Sequence, residues 1–177
     1  MRKEGKKTTR RLTVSAILAA LGVVLLMLGS LVQVLDLSMA AIASLTVVFA
    51  VIEIRGKYPL LIYVVTSLLS LLLLPVKTAA LIYFLFAGYY PMVKEILEKK
   101  LPKGVAFAVK ILLFCVGGAL ALLAAEKLFL MDLSLLWANW WYLLLLVPIF
   151  LLYDIALTRL ISAYVYRWRA RLRFPEL

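Results

Sequence analysis

The chain is 177 residues long and 66% hydrophobic, with 20 Lys and Arg against 9 Asp and Glu, a formal net charge of +11 and no histidine. Soluble domains run at about 45–50% apolar residues, so a mean hydropathy of +1.07 excludes an ordinary soluble core and predicts an all-α, polytopic membrane protein. A single cysteine, Cys115, excludes a disulfide framework, and the absence of His removes the usual general base and any N/S-rich metal site; no metal and no cofactor are expected.

At roughly 20 residues per crossing, the length allows about six short spans, and no polar stretch is long enough to fold separately. Residues 1–177 therefore read as one integral membrane domain: a basic N-terminus over 1–11, six spans over about 12–166, and a basic tail over 167–177. The opening MRKEGKKTTRR resembles the n-region of a signal peptide, but the apolar run from Leu12 to Leu35 is too long for an h-region and has no obvious cleavage site. It is read as a retained span 1. Ser15 and Ala19 share a face, as do Ala16 and Ala20, and small residues at that spacing admit a close neighbour, either within this bundle or from another subunit.

A turn around Asp36 leads to span 2, about Ser38 to Ile54, whose many small and hydroxyl residues suit a helix buried among others. Glu53 lies close to Arg55 and Lys57 and reads as an interfacial ion pair. Span 3 runs from Tyr58 to Leu74, with a lipid-facing tail LLSLLLLP. Span 4, Thr78 to Tyr90, is aromatic, and Pro91 predicts a kink between Gly88 and Pro91. Met92 to Lys100 then reads as an amphipathic turn lying along the membrane surface, with Glu95 and Lys99 paired. Span 5, Val105 to Ala125, has Lys110 in its first turns, placed to snorkel outward, and a close-packing stretch at Gly117 to Ala121. Span 6, about Leu135 to Tyr166, opens on the interfacial aromatic cluster WANWW, contains Pro148 and ends in RWRARLRF.

With the N-terminus inside, 18 of the 20 cations are cytoplasmic, and only Lys77 and Lys127 fall outside. Six spans with both termini cytoplasmic follow from that bias; five would strand one terminal cluster outside. The positive charge is thus topological, and no nucleic-acid partner is expected. Lys94, Lys99 and Lys100 are expected on the cytoplasmic surface, touching a partner or lipid rather than a substrate.

No Gly-rich phosphate loop, GxSxG or paired acidic motif is present, which argues against an enzyme. Two places remain where chemistry could sit. Asp154 and Arg159 are the deepest ionisable residues, and intramembrane charges are functional candidates, although Asp154 could equally pair with Arg159 or with a cation on a neighbouring helix. Lys77, Tyr83, Glu126, Asn139, Trp140 and Trp141 form the candidate substrate-binding region at the outer mouth, where aromatic walls and a few polar groups suit a small molecule; the same residues also fit a solvated loop with an interfacial belt.

The basic N-terminus running into LTVSAILAALGVVL, with six short spans and both ends inside, resembles the substrate-binding S-component of energy-coupling factor transporters. The resemblance implies a multi-pass cell-membrane protein that captures a micronutrient-like small molecule at its outer face. It implies that Ala16 and Ala20, with Ala19 and Val23 as the adjacent row, dock a transmembrane coupling subunit driven by two cytosolic ATPases. A different reading makes the chain a non-catalytic membrane scaffold that binds a partner or anionic lipid through its basic cytoplasmic surface, at roughly 1 kcal/mol per cation.

Overall fold

Leucines on the outside and serines on the inside set the character of this structure. Leu72 is 77% exposed and Leu68 62%, whereas Ser15, Ser44, Thr66, Ser67 and Ser70 are all buried. That inversion suits a chain whose solvent is hydrocarbon, where association rests on close packing and on internal hydrogen bonds rather than on burial of apolar surface. The computed structural model describes residues 2–54, 56–127 and 141–168, and every element among them is helical.

Helix α1 spans Arg2–Leu31 and leads through a short 3₁₀ turn, Gln33–Leu35, to α2 at Asp36–Phe49, which continues as a π-helical turn over Ala50–Ile54. Asp36 sets a negative charge on the positive end of the α2 dipole. Gly56, at φ 68°, supplies the left-handed residue before α3, Tyr58–Leu73, whose first turn holds Pro59. Helix α4, Thr78–Ile82, passes into a second π turn at Tyr83–Ala87 and then into α5, Tyr90–Lys100. Helix α6 covers Lys103–Lys127, and α7 covers Trp141–Ala163 with a third π turn at Tyr164–Trp168. The short links at 32–35, 55–57, 74–77 and 101–102 make successive helices antiparallel, so α1 begins at the same end of the bundle as the α2–α3 and α5–α6 links. We call this the basic end.

Helices α1 to α4 form one core, centred on Leu26, Ala40, Val47, Ile62 and Tyr83. Small residues let α1 lie close: a Cβ on Gly22 would come within 3.0 Å of Thr66, and one on Gly29 within 2.8 Å of Met39. Hydroxyls bond to carbonyls, Ser15 to Arg11 at 2.8 Å and Thr66 across to Ala19 at 3.3 Å, so these two are satisfied within the bundle. A second cluster, Val48, Tyr90, Phe150 and Leu157, brings α7 against α2 and α5.

Among the described residues, four helical stretches are long and apolar enough to cross a membrane: Lys7–Leu31, Asp36–Ile54, Thr78–Lys100 and Val147–Tyr166; Tyr58–Leu73 and Gly104–Leu120 are shorter apolar helices. Near Pro91, where a kink is expected, the regular α-helix gives way over residues 83–89, and the Gly88 N–H donates to the Tyr83 carbonyl at 2.8 Å. The amphipathic turn expected after it corresponds to α5, but Lys94, expected at the surface, is buried. Thr78–Lys100 forms one crossing-length stretch of 23 residues, and Lys94 within it is 1% exposed. The expected start of span 6 at Leu135 and the basic tail from Arg169 lie outside the described residues.

Candidate functional site

Three helices each present a face at four-residue spacing. On α5 it carries Tyr90, Lys94 and Glu98; on α6, Ala106, Lys110 and Phe114; on α7, Phe150, Asp154 and Thr158. Residues four apart stack on one side of a helix, so the three faces meet with their charged members at one level. The Asp154 carboxylate accepts from the Lys94 ammonium, from the Tyr90 hydroxyl at 2.6 Å, and from Lys110 at 3.3 Å. Lys110 also reaches Glu98 at 2.6 Å, and Lys94 reaches Glu98 at 3.2 Å and the Thr158 hydroxyl at 2.7 Å. Thr158 in turn donates to the Asp154 carbonyl at 2.8 Å. Two lysines and two carboxylates balance, which is the condition under which buried charges are tolerated.

Toward the other end of the bundle lies a layer of rings. Phe114 stacks on Phe150 with centroids 4.5 Å apart, and Phe86 meets Phe114 and Tyr90 at 5.1 Å and Phe150 at 5.6 Å. Tyr153 joins them, its hydroxyl paired with that of Ser44 at 2.8 Å. On this layer rests a cavity of about 230 Å³, walled by α2, α4, α6 and α7, with Ala41, Ile82, Phe86, Phe114, Ile149 and Tyr153 among its lining residues. Its polar groups come chiefly from Ser38 and Tyr153. Such a space takes a small apolar or aromatic molecule and offers it few hydrogen bonds.

Asp154 thus pairs with cations on two neighbouring helices, one of the alternatives open from the sequence, while Arg159 is exposed. Lys110 turns into the bundle at 5% exposure instead of snorkelling outward. Both lysines were missed as partners, although the four-residue stripes that place them are visible in the sequence. Glu53 accepts from the Tyr164 hydroxyl at 3.3 Å; Arg55, its expected partner, lies outside the described residues.

Of the candidate substrate residues, three have described side chains. Lys77 donates to the Leu74 carbonyl at 2.5 Å and finishes α3; Tyr83 is fully buried in the α1–α4 core; Glu126 is exposed near the end of α6. Trp141 is the first residue of α7, and Asn139 and Trp140 lie outside the described residues. On α1, Ala16 and Ala20 are exposed on a common face, Val23 is half-buried, and Ala19 is buried in the core. The chain matches no protein-family model, no curated protein and no solved structure.

Proposed function

We propose that this chain captures a small, largely apolar molecule within the membrane, in the manner of the substrate-binding subunit of an energy-coupling factor transporter. The observation that carries the reading is the cavity of about 230 Å³ floored by Phe86, Phe114, Phe150 and Tyr153, in the half of the bundle away from the basic end. In this reading both termini are cytoplasmic, the two shorter apolar helices complete six spans, and the cavity faces outward. The charge bias supports that orientation even after correction. With Lys94 and Lys110 buried, 16 cations remain on the basic side against two on the other. Ala16 and Ala20, four apart and exposed on α1, are placed for a coupling subunit to pack against, and the ATP hydrolysis would come from its partners.

Mass spectrometry of the full chain purified in lipid nanodiscs is expected to find a retained small molecule. Ala41→Phe and Ile149→Trp each fill the cavity, and either is expected to release that molecule while leaving the elution profile of the folded protein unchanged. Retention of the same molecule by both filled variants sinks the assignment to this cavity.

A further inference from the structure

A second cavity, of about 300 Å³, opens toward the basic end between α2, α5 and α7; Val48, Pro91, Lys94, Glu98 and Ile161 are among its lining residues. It shares α2 and α7 with the first, and its third wall, α5, continues the stretch that begins with α4 and lines the first. Along α2 the first cavity touches Ala41 and the second Val48; along α4 and α5 the order is Phe86 and then Lys94; along α7 it is Tyr153 and then Ile161. Ser44, Tyr90, Asp154 and Leu157 lie between them on the same helices. We propose that the two cavities are the ends of one path for a small apolar molecule along the α2–α5–α7 seam, and that Tyr90, Lys94, Lys110 and Asp154 close it. The identity of what passes rests on the capture reading; the barrier does not.

Three features fit a closure that opens. Beside the apolar contact of Val48, Phe150 and Leu157, it is held by hydrogen bonds and ion pairs, which water replaces when helices part, and water is near: the side chains of Glu98 and Lys99 are 46% and 71% exposed at the basic end. Asp154 is the point at which α7 is tied to both α5 and α6, so displacing α7 takes one partner from both lysines together and leaves them with Glu98. And α2, the α4–α5 stretch and α7 each contain a π-helical turn, at Ala50–Ile54, Tyr83–Ala87 and Tyr164–Trp168, whereas the described parts of α1, α3 and α6 contain none. Such turns recur at functional sites and mark places where a helix changes register.

The test uses the full-length chain in oriented vesicles, with Cys115→Ser as background and a membrane-impermeant charged methanethiosulfonate as probe. Ala41→Cys is expected to react from the side opposite the basic end, and Ile161→Cys from the basic side. Adding Asp154→Asn is expected to make Ala41→Cys react from the basic side roughly tenfold faster, the population change that follows loss of one charge-assisted contact. Tyr90→Phe removes only the hydroxyl bond and is expected to move the rate the same way by less, and Asp154→Glu to restore one-sided access. An unchanged basic-side rate in Asp154→Asn, or in Tyr90→Phe should the former fail to fold, overturns the barrier. These rates need no ligand, so failure to find a retained molecule counts against the capture reading alone.

Discussion

Replacing Asp154 with Ala leaves Lys94 and Lys110 at 1% and 5% exposure with only Glu98 to balance them. Breaking one side of a buried pair costs about 3–5 kcal/mol, because the remaining charge keeps its desolvation penalty. Removing both partners is different: Lys94→Met with Asp154→Leu leaves the Lys110–Glu98 pair intact and takes two charges out of the membrane interior. Thermal unfolding followed by size-exclusion fluorescence should therefore show a large loss for Asp154→Ala and a much smaller one for the double variant. Equal losses would mean that the ion pairing contributes nothing beyond shape.

The α4–α5 stretch shows how a helix changes register without ending. Pro91 falls in the first turn of α5, where its missing N–H has no intrahelical role, and the turn before it widens so that Gly88 bonds back to Tyr83. Only glycine fits there. A Cβ on Gly88 would lie 2.6 Å from the Tyr63 ring and 2.9 Å from the Tyr83 carbonyl oxygen, while one on Gly118 in α6 would meet nothing within 4 Å. Gly88→Ala is expected to destabilise by about 1–3 kcal/mol through overpacking. Gly118→Ala is expected to be neutral or to stabilise by up to about 1 kcal/mol, since alanine is the better helix former. The same unfolding assay separates the two, and similar effects at both positions would show that the π turn is not held by this packing.

For the assembled bundle, the exposed face of α1 and the basic end make separate predictions. Ala16→Leu with Ala20→Leu changes a face that is exposed among the described residues, so on the capture reading it should leave folding and ligand retention intact while abolishing co-purification with the proposed coupling subunit. If partner binding and uptake persist, α1 is not the docking helix. Charge reversal at Lys99 and Lys100 alters surface charge and the exposed Lys99–Glu95 pair; reversal at Lys94 strikes the buried cluster. The first change should disturb insertion or partner contact, whereas the second should lower stability, and a membrane-insertion assay run beside the unfolding assay distinguishes them.

Membrane character, helical class and the basic end were legible in the residues, because each depends on one-dimensional quantities: apolar run length, the spacing of small residues and the order of charges. The pairing of Lys94 and Lys110 with Asp154 was not, although each stripe repeats every four residues, because a charge near the end of an apolar run satisfies itself equally by reaching water or by meeting a counter-charge. The choice between those depends on which helices lie side by side, and that is set by packing between residues more than 40 positions apart. The cavity was invisible for the same reason. Its walls come from four elements, and nothing local to any one of them specifies the space left between their side chains.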